Sequence, residues 1–131
     1  MEDTKINVKV KLSALWCALM FFYAYTDILG FYAPGHISEL ITGEIAGIQI
    51  TPVFLLSSAI LMAIPSLMVF LSLTLKAKIN RPTNIIIGIA LSIVLLATFF
   101  TGDNPAYYIL YGTIEELLLV LIILHAWKWN M

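Results

Sequence analysis

One cysteine, Cys17, stands among 131 residues. A disulfide within the chain is thereby excluded, as is a membrane thiol oxidoreductase that works through a Cys-x-x-Cys pair. Charge is scarce too: Asp, Glu, Lys and Arg make up 11% of the chain, against about 25% in an ordinary soluble domain. A surface so poor in charge cannot face water on every side. P-loop, GxSxG and HExxH patterns do not occur, so those phosphate-binding, hydrolytic and zinc chemistries lack their residues. The seven basic residues all flank apolar runs, which argues against a nucleic-acid partner. Repeats and low-complexity segments are absent, and residues 1–131 read as a single domain. An enzyme is the disfavoured class, and neither a cofactor nor a metal site is expected.

What the chain does contain is apolar sequence. Hydrophobic residues make up 61% of it and the mean hydropathy is +0.97. They fall in four blocks, at about residues 12–32, 51–75, 84–101 and 106–127. Each approaches the roughly 20 residues that a helix needs to cross a ~30 Å hydrocarbon layer. The lipid bilayer is therefore the first partner the sequence implies.

Charge placement orients the spans. Lys5, Lys9 and Lys11 precede the first block, Lys76, Lys78 and Arg81 separate the second from the third, and Lys128 follows the fourth. Glu39, Glu44 and Asp103 occupy the opposite connections, with no basic residue. The positive-inside rule then puts both termini in the cytoplasm. The first block is longer than the 7–15 apolar residues of a signal peptide and no A-x-A site follows it, so it reads as an anchor.

Short connections make neighbouring spans antiparallel, which gives an all-α, integral membrane, up-down four-helix bundle, N-in and C-in. Thr51-Pro52 and Asn104-Pro105 read as helix starts. Pro65, inside the second span, predicts a kink. In the loop between spans one and two, Ile37, Leu40, Ile41, Ile45 and Ile48 recur at near-helical spacing, which predicts a short amphipathic helix on the outer surface. Gly88–Ser92 and Ala59–Ala63 have the small-xxx-small spacing of close helix packing, within the bundle or in a homo-oligomer.

Three carboxylates interrupt the apolar runs: Asp27, Glu115 and Glu116. At such depths a charge costs about 2.5–3.5 kcal/mol on insertion scales, so each requires a partner, water or a proton. A rise of ~1.5 Å per residue places Asp27 about 8 Å and Glu115 about 14 Å below the outer boundary. Ser13, Trp16, Met20, Tyr23, Asp27 and Gly30 share one face of span one. Tyr108, Tyr111, Gly112 and Glu115 share one face of span four, which continues inward as Leu118, Leu119 and Ile122. Two readings follow. In the first, Asp27, Glu115, Glu116, Tyr23, Tyr108, Tyr111 and Trp16 line an outward vestibule that binds a cation, an organic amine or a transferable proton, above a leucine-rich plug. In the second, Tyr23–Asp27 and Tyr111–Glu115 are i,i+4 hydrogen bonds that brace the helices. His36, in the loop between spans one and two, could join Glu39 or Asp103 at a metal, but a lone loop histidine reads as solvated.

The stretches "LSALWCALMFFYAYTDILGFYAPG", "ILMAIPSLMVFLSLTLKAKINRPTNIIIG" and "YYILYGTIEELLLVLIILHAWKWN" together resemble a family of small bacterial four-span membrane proteins whose domain has no known function. The resemblance covers nearly the whole chain and implies a multi-pass protein of the bacterial inner membrane. The architecture is also similar to that of DoxX-like proteins, a loose four-helix group that includes redox-associated subunits. Neither resemblance carries residue roles onto this sequence.

Overall fold

The computed structural model describes residues 6–45, 48–100 and 105–129. Lys5, Asp103 and Asn104, used above, lie outside the described residues. The elements in chain order are α1 (Val8–Phe31), α2 (His36–Ile41), β1 (Glu44–Ile45), β2 (Ile48–Gln49), α3 (Pro52–Thr74), α4 (Ala77–Phe99) and α5 (Ala106–Trp127).

Local chemistry sets the helix ends. The Asn7 side chain accepts the Lys9 N–H at 2.8 Å, so the alternating Lys and Val residues at the start of the chain open a helix instead of a strand. Thr51 Oγ1 accepts the Phe54 N–H at 3.1 Å and Pro52 fills the first helical position. Pro105 itself occupies the N-cap of α5. Pro65 lies buried within α3, which continues through it to Thr74.

Two expectations are corrected. The third span begins at Ala77, not near residue 84, because "AKINRPT" is helical. Asn80 explains the tight turn that results: its Nδ2 donates to the carbonyls of Ser72 at 2.7 Å and Leu75 at 3.2 Å, closing the exposed end of α3. The amphipathic helix is also shorter than its apolar period. Gly43, at φ +82°, follows the end of α2, and Ile45 and Ile48 instead pair as antiparallel neighbours in β1 and β2.

α1 packs against both α3 and α5, and α5 packs against α4. α3 and α4, though adjacent in sequence, touch far less. The bundle thus has three close interfaces and one open seam. Its fully buried core is weighted toward the end that carries the α3–α4 turn, with Leu12, Trp16, Leu19, Met68, Leu119 and Ile122 all at 0% exposure. The outward faces are apolar instead of charged: Val53, Leu56, Ile60, Leu67 and Phe70 of α3 are all exposed. α1, α3, α4 and α5 are each long and apolar enough to cross a membrane. The chain is an all-α multi-pass membrane protein.

Candidate functional site

A cavity of about 230 Å³ lies among all four long helices, in the half of the bundle away from the α3–α4 turn. α1 contributes Tyr23, Thr26 and Asp27, and α5 contributes Tyr108 and Glu115. Leu91, Val94, Leu95 and Thr98 of α4 and Leu61 and Met62 of α3 complete the wall. The lining is an apolar chamber with polar groups concentrated on α1 and α5. None of the described residues of the α2 loop lines it. Toward the turn end, Leu119 and Ile122 are fully buried and Leu118 packs beside them.

Glu115 is 3% exposed. Its Oε1 faces the Thr26 hydroxyl at 3.0 Å, whose single proton is shared with the Phe22 carbonyl at 2.7 Å. Among the described residues that hydroxyl is the one hydrogen-bond donor to this carboxyl group, and Oε2 has none. Asp27 is exposed at the rim and makes no hydrogen bond with the described residues. The half-buried Tyr23 hydroxyl likewise has no partner among them. Tyr108 is engaged: it donates to Thr98 Oγ1 at 2.7 Å. Its ring meets Phe99 edge-on at 5.8 Å, and Phe99 in turn fills the space that Gly112 leaves open.

The basic side chains are remote. Lys9 and Lys11 begin α1, about 24–27 Å along the helix axis from Asp27. Arg81 is occupied at the turn end, donating from Nε to Ala126 O at 3.1 Å and from Nη2 to Trp127 O at 2.9 Å. The cavity carboxyl groups therefore face a chamber that the described residues provide with no cation.

Four of the seven residues singled out in the sequence come together here: Asp27, Glu115, Tyr23 and Tyr108. The other three lie elsewhere. Glu116 turns toward α4, where the Ser92 hydroxyl donates to its Oε1, and its enclosed Oε2 has no partner among the described residues. Gly88, one turn from Ser92, faces Ile123, so this small-residue pair serves the α4–α5 contact. The Tyr111 ring packs edge-on against Phe22 at 5.2 Å. Trp16 is fully buried toward the turn end, where its Nε1 donates to Asn84 Oδ1 at 2.7 Å. Neither the Tyr23–Asp27 nor the Tyr111–Glu115 hydrogen bond forms. The bridge from α1 to Glu115 comes from Thr26.

Sequence reasoning passed over Thr26 and the polar cluster around Trp16. Asn84 Oδ1 also accepts from Ser72 at 3.3 Å, and Asn84 Nδ2 donates to Asn80 O at 2.8 Å and Asn80 Oδ1 at 2.6 Å. The available signal was Asn80–Asn84, an i,i+4 amide pair running into an apolar block.

Over residues 2–131 the sequence matches the family of unknown function DUF6326, and the chain belongs to that family. Comparison with curated proteins and with solved structures gave no match.

Proposed function

We propose that this member of DUF6326 is a binding protein of the bacterial inner membrane, and that its four-helix cavity holds a small ligand through a cationic group. The observation that carries the reading is Glu115, a carboxylate 3% exposed, with one oxygen left without a donor beside a 230 Å³ chamber. A buried acidic group costs free energy unless something compensates it, and a bound cation would do so. Asp27 at the rim adds negative potential at the entrance. The unpartnered Tyr23 hydroxyl offers a hydrogen bond, and its ring a face, to an ammonium group. With the basic turn end in the cytoplasm, the cavity lies in the outer half of the membrane. Transport would be a further step of the same binding. A bracing subunit with a self-satisfied polar core, or a DoxX-like accessory protein, would have no use for a ligand-dependent Glu115.

Thermal unfolding in lipid nanodiscs with alkylammonium chlorides of four to twelve carbons, and sodium chloride as control, tests the reading. Ligand at ~100 times its Kd should stabilise the folded state by about 2.7 kcal/mol. Glu115→Gln should abolish the shift, whereas Glu116→Gln, directed at Ser92, should retain it. No shift at any chain length, or an equal shift in the Glu115 variant, would refute the proposal.

A further inference from the structure

The cavity is walled by α3 and α4 as well as by α1 and α5. Leu61 of α3 and Val94 of α4 both line it, and both are also exposed, at 38% and 41%. They stand on the two helices that pack least against one another. Leu61 lies nine residues into α3 from Pro52, about 14 Å along the axis, and Val94 lies five residues before Phe99, about 8 Å from that end. Both positions fall within a ~30 Å hydrocarbon layer. A mouth between them would be apolar and would face acyl chains.

Size narrows the occupant. A cavity of about 150 Å³ is enough for benzene, so one of about 230 Å³ accommodates an ammonium headgroup and a short stretch of chain. A long chain would have to pass out through the mouth. Chemistry narrows it further, because the polar groups stand on α1 and α5, across the chamber from that mouth, while Leu61, Met62 and Val94 border the route to it.

Resting on the binding reading above, we infer that the ligand is a membrane-dissolved amphiphilic amine that enters sideways between α3 and α4. Its ammonium group sits against Glu115 and its chain leaves through the Leu61–Val94 gap into the bilayer. This commitment separates the site from one filled from water by a small hydrophilic cation. In a lateral site the tail exchanges one apolar surrounding for another, so Glu115 supplies the selectivity for amine over alcohol.

The test is photolabelling in nanodiscs with dodecylammonium carrying a diazirine at mid-chain, and with the equally labelled dodecanol as the uncharged control. Adducts are mapped by mass spectrometry. The amine should label Leu61, Met62 and Val94 at least tenfold more than the alcohol does, and Glu115→Gln should remove that preference. Leu61→Trp, which fills the mouth and leaves every carboxylate in place, should cut the cavity labelling by a similar factor. Ile60→Trp, on the outer face of the same helix, should not. Equal labelling by amine and alcohol would overturn the inference, as would cavity labelling undiminished by Leu61→Trp. If butylammonium still gives a Glu115-dependent shift while the dodecyl probe avoids the cavity, lateral entry fails and the binding site stands. If no alkylammonium binds, both fail.

Discussion

Replacing Asn84 with alanine should be among the most damaging single changes in the chain, although the residue does not line the cavity. Its side chain makes four hydrogen bonds in a fully buried position: Trp16 Nε1 and Ser72 Oγ donate to Oδ1, and Nδ2 donates to two oxygens of Asn80. Interhelical hydrogen bonds in membranes average ~0.6 kcal/mol each, because the unfolded chain in lipid also finds partners. The truncation also strands the Trp16 indole N–H, fully enclosed, and an unsatisfied buried donor costs about 1–3 kcal/mol. Together these give an expected loss of about 3–5 kcal/mol, a large share of an ordinary stability. Unfolding in mixed micelles titrated with a denaturing detergent measures it. Trp16 fluorescence in a Trp127→Phe, Trp129→Phe background reports the same site, with its emission changing as the indole loses its acceptor. Asn84→Asp keeps an acceptor for Trp16 and should recover part of the loss in the indole signal. Should Asn84→Ala unfold within ~0.5 kcal/mol of the parent, the cluster would not be what joins α1, α3 and α4, and this account of the turn end would be wrong.

Two other contacts give sharp expectations. A Cβ at Gly112 would run into the Phe99 ring, so Gly112→Ala should destabilise by about 1–3 kcal/mol, and a smaller residue at 99, as in Phe99→Leu, should restore part of it in the same unfolding assay. Arg81 donates to the last carbonyls of α5, so Arg81→Ala should cost about 1 kcal/mol and speed backbone hydrogen exchange at Ala126–Lys128, while Arg81→Lys, without the planar fork, should recover only part.

The spans were legible because lipid imposes a length and a composition that no other environment demands, and the blocks around residues 12–32, 51–75 and 106–127 correspond to α1, α3 and α5. The start of α4 was not legible. Lys78, Arg81 and Pro82 read as a loop, yet Arg81 reaches the α5 carbonyls, and Asn80 faces inward where the α3 end needs a donor. Those partners exist only once distant segments meet. The same holds at the cavity. Helical phase grouped Trp16 with Tyr23 and Asp27 correctly as one face of α1, but a face extends the full height of the bundle while a site occupies one level of it. Trp16 lies eleven residues, about 16 Å, from Asp27 and serves the other end. Thr26 carried no signal, since a lone threonine in a span most often bonds its own helix, as Thr113 does to Ile109 O at 2.7 Å.

Why α3 is joined to α4 less closely than the other helix pairs are joined follows from what holds helices together in lipid. Burying leucine against leucine gains little there, because acyl chains are equally apolar; polar bonds and interlocking shapes must supply the adhesion. At the turn end both are plentiful: Ser13 Oγ donates to Val69 O at 2.6 Å, Ser72 meets Asn84, and Asn80 closes the end of α3. At the other end they belong to α5, through Phe22–Tyr111 toward α1, Phe99 seated on Gly112, and Tyr108 bonded to Thr98 toward α4. Among the described residues the first half of α3 has no comparable attachment to α4: Leu61 and Met62 face the chamber. Among the described residues the polar adhesion that fastens α3 near its C-terminus is thus not repeated in its first half, and the weakly joined α3–α4 seam runs beside the chamber that Glu115 lines.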